Sequence, residues 1–109
     1  MIYTSYFAKY KEDNAVAICC SVPKWYKGDT CTEIAPPWYL VDAWKKSRIT
    51  AEQFEALYRQ DVLDCYSVHD LAELFEGRVL LCYEKTGEFC HRHILAKWFI
   101  ENGYKCEEV

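Results

Sequence analysis

The sequence predicts a single α/β domain over residues 1–109, with a small, mainly parallel sheet flanked by helices. Three observations carry this expectation. Residues 15–20 (AVAICC) and 78–83 (RVLLCY) are nearly continuous apolar runs, the pattern of strands covered on both faces. Amphipathic stretches with apolar residues at helical spacing lie between and after these runs. The chain has 109 residues, 51% of them hydrophobic and 28% charged, which suffices for one core, leaves no room for two, and is not a disordered composition.

Each element has its own signal. Ile2 to Ser5 is short and rich in β-formers, a first strand, and residues 15–20 are the second. Residues 21–37 carry Pro23, Gly28, Asp29, Pro36 and Pro37 and read as a long irregular loop bearing Trp25 and Tyr26, with Trp38 and Tyr39 at its exit. A short helix is predicted over 38–46. Thr50 with Gln53 forms a capping box for a helix over 51–65, whose apolar face is Phe54, Leu57, Tyr58, Val62 and Cys65. Ser67 caps the next helix, with Val68, Leu71, Leu74 and Phe75 inward and Gly77 as its stop. Residues 78–83 form the third strand, and Thr86 and Gly87 make a turn. A helix over 89–102 follows, with Ile94, Leu95, Trp98 and Phe99 on its apolar side, and residues 104–109 read as an edge strand.

Charge and cysteine usage narrow the function classes. Thirteen Lys and Arg against seventeen Asp and Glu leave a formal charge of −4, which argues against a protein that coats nucleic acid non-specifically. The longest uncharged run is far too short to span a bilayer, and the first residues show no basic-then-apolar export pattern, so a cytoplasmic location and no membrane association are expected. Seven cysteines is an odd number, irregularly spaced and without a CxxC pair. That favours reduced thiols acting mostly as small buried hydrophobes over a disulfide scaffold. For the vicinal pair Cys19–Cys20, strand alternation sends one side chain to each face of the sheet.

In open α/β sheets, ligands bind beyond the carboxyl ends of the strands. Applied here, that rule gathers Thr4 and Ser5 from the first strand, Ser21 after the second, and Cys82, Glu84 and Lys85 from the third. Cys90, His91 and Arg92 join them in the first turn of the next helix, and the loop aromatics Trp25 and Tyr26 form a cover. A helix start with Arg92 and Lys85 nearby suits a phosphate or carboxylate, and the aromatics suit a ring. Glu84 is the candidate acid or base, and Cys82 or Cys90 with His91 the candidate nucleophile pair. Each residue has a plainer alternative: a solvated Arg92, a salt-bridged Glu84, loop aromatics packed on the core, and His91 as a hydrogen-bonded core histidine on the face of Ile94, Leu95 and Trp98. His69, among Asp70 and Glu73, reads as a solvated surface residue. Cys82, Cys90, His91 and His93 resemble a zinc set in composition, but positions 91 and 93 lie about 200° apart on a helix and cannot share one ion. No metal site is therefore assigned.

Three segments carry a family resemblance. Ile2-Tyr3-Thr4-Ser5 is similar to the opening strand, Val22 to Gly28 with Ile34-Ala35-Pro36 to the loop after the second strand, and Leu80-Leu81-Cys82-Tyr83-Glu84-Lys85 with Cys90-His91-Arg92 to the C-terminal signature of the bacterial and phage family called domain of unknown function 488. The Gly-His that opens larger members is absent, Tyr6-Phe7 following Ser5, and so is the Arg that follows their second strand. The resemblance implies a small α/β fold with a pocket built by the C-x-E-K and C-H-R segments. It implies no reaction.

The expectation is thus a protein that binds a nucleotide-like or other anionic ligand at the strand ends. Whether it is an enzyme, which cofactor it uses and its oligomeric state are left open by the residues. Two other readings stand beside this one: a non-catalytic interaction or accessory factor of phage or mobile-element origin, and a metal or redox site at Cys82 and Cys90.

Overall fold

A computed structural model describes residues 1–85 and 87–109, so the Thr86 half of the predicted turn lies outside the described residues. Five strands, β1 (Ile2–Tyr6), β2 (Ala15–Ala17), β3 (Asp29–Thr30), β4 (Val79–Cys82) and β5 (Cys106–Glu108), form one sheet in the order β3-β2-β4-β1-β5. Every pairing is parallel. The central register sets Tyr3 opposite Val79 and Ala15 opposite Val79 on the other side, so all carboxyl ends lie at one edge. The outer strands β3 and β5 are only two and three residues long, which limits the unpaired backbone that the sheet exposes.

The helices α1 (Trp38–Lys45), α2 (Ala51–Asp61), α3 (Val68–Leu74) and α4 (His91–Glu101) occupy the intervals the periodicity marks. The Thr50–Gln53 capping box forms in both directions, at 3.1 and 2.8 Å, and Ser67 Oγ accepts from the Asp70 amide. Gly77 and Gly103 adopt positive φ where α3 and α4 end, a conformation that costs residues with a Cβ.

Strand alternation divides the core in two. Ile2, Val16, Ile18 and Leu80 meet the helices through residues such as Phe54, Tyr58, Leu71, Ile94, Leu95 and Phe99. Ala15, Ala17, Val79 and Leu81 point to the other face, which is covered by loop residues Phe7, Tyr10, Val22 and Tyr26. Burying each large apolar side chain contributes about 1.5–3 kcal/mol, so the helical face carries most of the stability.

Several boundaries differ from the sequence reading. β2 stops at Ala17, because the chain leaves the sheet for the loop covering its second face. The loop over 21–37 contributes β3 and a 3-10 turn at Thr32–Ile34. α2 ends at Asp61 and continues as a separate 3-10 turn, so Cys65 is exposed and its thiol bonds to the Asp61 carbonyl. Leu74 is 60% exposed because α3 ends there and Phe75 takes the inward position. The expectation of reduced and mostly buried thiols is corrected on both counts: only Cys31, Cys82 and Cys90 of the seven are buried, and the last two are paired with each other. No helix among the described residues is long and apolar enough to cross a membrane.

Candidate functional site

Connectivity places the site. From β2 the chain turns outward to β3 by a loop on one face of the sheet, and from β4 it passes over β1 to β5 by way of α4 on the other face. Neighbouring strands whose connections leave in opposite directions open a crevice at their carboxyl ends. Here those strands are β2 and β4, and a cavity of about 200 Å³ opens beyond them. Its walls come from Cys19, Cys20 and Ser21 after β2, Cys82, Tyr83 and Glu84 at the end of β4, and His91 at the start of α4. Trp38, Val41 and Lys45, at i, i+3 and i+7 of α1, complete it. Trp38 is 69% and Tyr83 49% exposed, so two rings stand at the mouth.

Cys82, Cys90 and His91 form a buried cluster at the back of this cavity, their ligand atoms all within 4.8 Å of one another. The two cysteines are paired as a disulfide across Cα atoms 7.6 Å apart. The His91 ring lies between Tyr58 and the end of β2, with Nε2 2.6 Å from the Ile18 carbonyl oxygen. A carbonyl only accepts, so this contact assigns the proton to Nε2 and leaves the Nδ1 lone pair free toward Cys90 Sγ, 3.8 Å away. Burial, ahead of the neighbouring Arg92 charge, pulls the His91 pKa down to about 4, so the ring is neutral at pH 7. His93 is also held below the usual histidine range by burial, and its buried Nε2 has no hydrogen-bond partner among the described residues.

Arg92, one residue on, faces a different environment. It is fully buried, and Nε and Nη2 grip the two carboxylate oxygens of Glu108 at 3.1 and 2.7 Å. Nη1 donates to the Glu84 carbonyl at 2.5 Å and to Cys82 Sγ at 3.0 Å. The Thr4 hydroxyl donates to Glu108 at 2.5 Å, and Ser5 Oγ donates to the Val109 carbonyl at 2.8 Å. The predicted site residues therefore separate into three groups. Ser21, Cys82, Glu84 and His91 share the cavity, and Cys90 backs it. Thr4, Ser5 and Arg92 tie β5 to β1 and α4. Lys85 is exposed and does not line the cavity.

Trp25 and Tyr26 lie elsewhere. Both rings pack edge-on against Phe7, Lys11 sits 3.8 Å over the Trp25 ring, and the Tyr26 hydroxyl donates to the Asp29 carbonyl at 2.6 Å. They line a separate cavity of about 520 Å³ that reaches Ala15 at the opposite end of β2. The sequence reading missed Lys45, Glu108 and the Ile18 carbonyl. Lys45 had a signal in its helical spacing from Trp38 and Val41. Glu108 had none, since one acidic residue in a charged terminal strand looks like a solvated one.

No curated protein and no solved structure matches this chain. A family model does match, over residues 2–103, and it is described as DUF488-N3a, the active DUF488-N3 subclade. That match takes in the cavity walls, the Cys82–Cys90–His91 cluster and all but the last strand, and the chain belongs to the DUF488 family.

Proposed function

We propose that the protein binds a nucleotide-like or other anionic small molecule in the cavity between the ends of β2 and β4. The observation that carries this reading is the convergence there of one cation, Lys45, with two exposed rings, Trp38 and Tyr83, and the polar side chains of Ser21 and Glu84. Rings at the mouth suit stacking on a base, and a lone lysine suits a phosphate or carboxylate. The cavity is smaller than most drug-sized sites, which favours a ligand seated by one end with its ring lying across Trp38 and Tyr83. Glu84 is the group assigned to proton transfer on a bound ligand, and Cys82 and Cys90 to thiol chemistry behind it.

Thermal-shift screening of nucleobases, nucleosides and nucleotides against wild type, Lys45→Ala and Trp38→Ala tests the reading. Stabilisation of wild type by a phosphate-bearing compound, reduced in both variants, is expected. If no anionic compound stabilises the wild type, the reading fails. An interaction role without chemistry is favoured by one observation, the half-exposed Trp25 on the loop face. Partner capture that is abolished by Trp25→Ala and unaffected by Lys45→Ala would decide for that role.

A further inference from the structure

We propose that Cys82, Cys90 and His91, with the cysteines reduced, are the three protein ligands of a zinc-like divalent ion whose fourth position opens onto the cavity. Composition and placement support this. Two thiolates and an imidazole are the donors that borderline-soft ions select, and Cys₂His with an open position is a known catalytic zinc set. The three donor atoms already stand within 4.8 Å of one another and are contributed by a strand end, a helix N-cap and the first helical residue. Around a tetrahedral ion, sulfur atoms bound at about 2.3 Å stand roughly 3.8 Å apart, a separation that Cys82 and Cys90 can take only once their disulfide is opened. The Cα separation of 7.6 Å is wider than the about 4.4–6.8 Å that disulfides usually span, and thiolates spread around an ion fill it without bringing the backbone closer.

The surroundings of the cluster point the same way. Metal-bound histidines almost always donate their other ring N–H to a carbonyl or carboxylate, as His91 Nε2 does to Ile18. Nδ1 is left as the free donor, on the side of Cys90. Arg92 Nη1 stands 3.0 Å from Cys82 Sγ, the position of an outer-shell donor to a thiolate. Its positive charge is already matched by Glu108, so two buried thiolates would lack a counter-charge, and a divalent ion supplies it. Binding requires the disulfide to be opened. A phosphine reductant attacks one sulfur and breaks the S–S bond; water then supplies the oxygen of the phosphine oxide and the two protons of the resulting thiols, which release those protons to solvent as they bind the ion. Helix geometry keeps His91 and His93 from sharing one ion. No such constraint holds for His91 with Cys82 and Cys90, which lie at the end of β4 and at the N-cap of α4.

This inference does not depend on the ligand reading, because metal uptake is measured without any organic ligand. The full chain, stripped by chelator and kept in phosphine reductant, is titrated with cobalt(II) and then with zinc(II). One equivalent of cobalt should produce a thiolate-to-cobalt charge-transfer band and the visible bands of a tetrahedral site, and zinc should displace both. Cys82→Ser and Cys90→Ser should each lower zinc affinity by roughly 100-fold or more, given that outer-shell changes alone cost 10–100-fold. Cys65→Ser, at an exposed position, should bind as wild type does. If either cavity variant fails to fold, cadmium-113 resonance of the wild type reports directly on a two-sulfur, one-nitrogen site. Reduced, folded wild type that takes up no metal, or that takes it up without thiolate charge transfer, overturns the proposal.

Discussion

His91 and Arg92 are adjacent in the first turn of α4, both buried, yet their side chains serve opposite ends. Arg92 closes a charge-paired knot: its guanidinium bridges β5, through Glu108, to the loop after β4, through the Glu84 carbonyl. His91 makes one strong contact, to Ile18, and keeps a lone pair turned toward the two cysteines at the back of the cavity. One residue of helix rotation thus separates a structural tie from a buried cluster of sulfur and imidazole donors. The difference shows that a C-H-R segment need not act as a unit on one ligand, and that the charge in it can be consumed by folding.

The strongest way to break this comparison is Arg92→Ala. It removes the partner of a carboxylate only 22% exposed and leaves Glu108 in a poor environment. Losing one member of a buried pair costs about 3–5 kcal/mol, and denaturant unfolding should show a loss of that size. Arg92→Lys should recover only part of it, since an ammonium cannot grip both carboxylate oxygens and also reach the Glu84 carbonyl. A stability loss below about 1 kcal/mol would mean that Arg92 is not the tie described here.

His91 should reveal itself by pH. Its folded pKa is about 4, below the unfolded value near 6.5, so the native state prefers the neutral ring. Stability is unaffected by this group above pH 6.5, declines as pH falls toward 4, and by then has lost about 3 kcal/mol. Metal-free His91→Gln should lack that acid-side slope in denaturation measured between pH 7 and 4. A slope of the same steepness in the variant would assign it to other groups.

Thr4→Val sharpens the Arg92 side. The hydroxyl is buried and donates to Glu108 at 2.5 Å, so an isosteric methyl removes one charge-assisted bond and little packing. A loss of about 1.5–2 kcal/mol is expected on denaturation, with ligand and metal binding unchanged. An equal loss of ligand affinity would place Thr4 in the site after all.

The fold was readable from local patterns because each pattern reports a local cause. The apolar runs at 15–20 and 78–83, the Thr50 and Ser67 caps and the Gly77 stop all act within a turn or a strand. The strand-end rule likewise pointed to an edge at which a cavity opens, since parallel strands put every carboxyl end there. What the pattern could not report was where long-range pairs close. Arg92 looked like an anion ligand because its partner, Glu108, lies sixteen residues away in a charged strand. Trp25 and Tyr26 looked like a lid because their loop starts at Ser21, but Phe7 on the second sheet face draws both rings away from the cavity.

Lys45→Ala is the smallest perturbation of the fold and the sharpest test of the cavity. Lys45 is exposed in the last turn of α1 and has no ion-pair partner among those described. Surface changes of this kind usually shift stability within about 0.5 kcal/mol, and loss of the favourable helix-end charge adds only a few tenths. The ammonium is the one cation among the residues lining the cavity, which also include Glu84 and Trp38. Removing it should therefore weaken an anionic ligand by about 10-fold at unchanged denaturation midpoint, and the effect should shrink as salt screens the interaction. Reversal to Lys45→Glu should weaken binding further, while the matching Lys85→Glu, outside the cavity, should not. Equal effects at positions 45 and 85 would mean that the ligand senses the general charge of this edge of the sheet. Unequal ones would tie recognition to the crevice between β2 and β4, on the His91 side of the divide and away from the Arg92 knot.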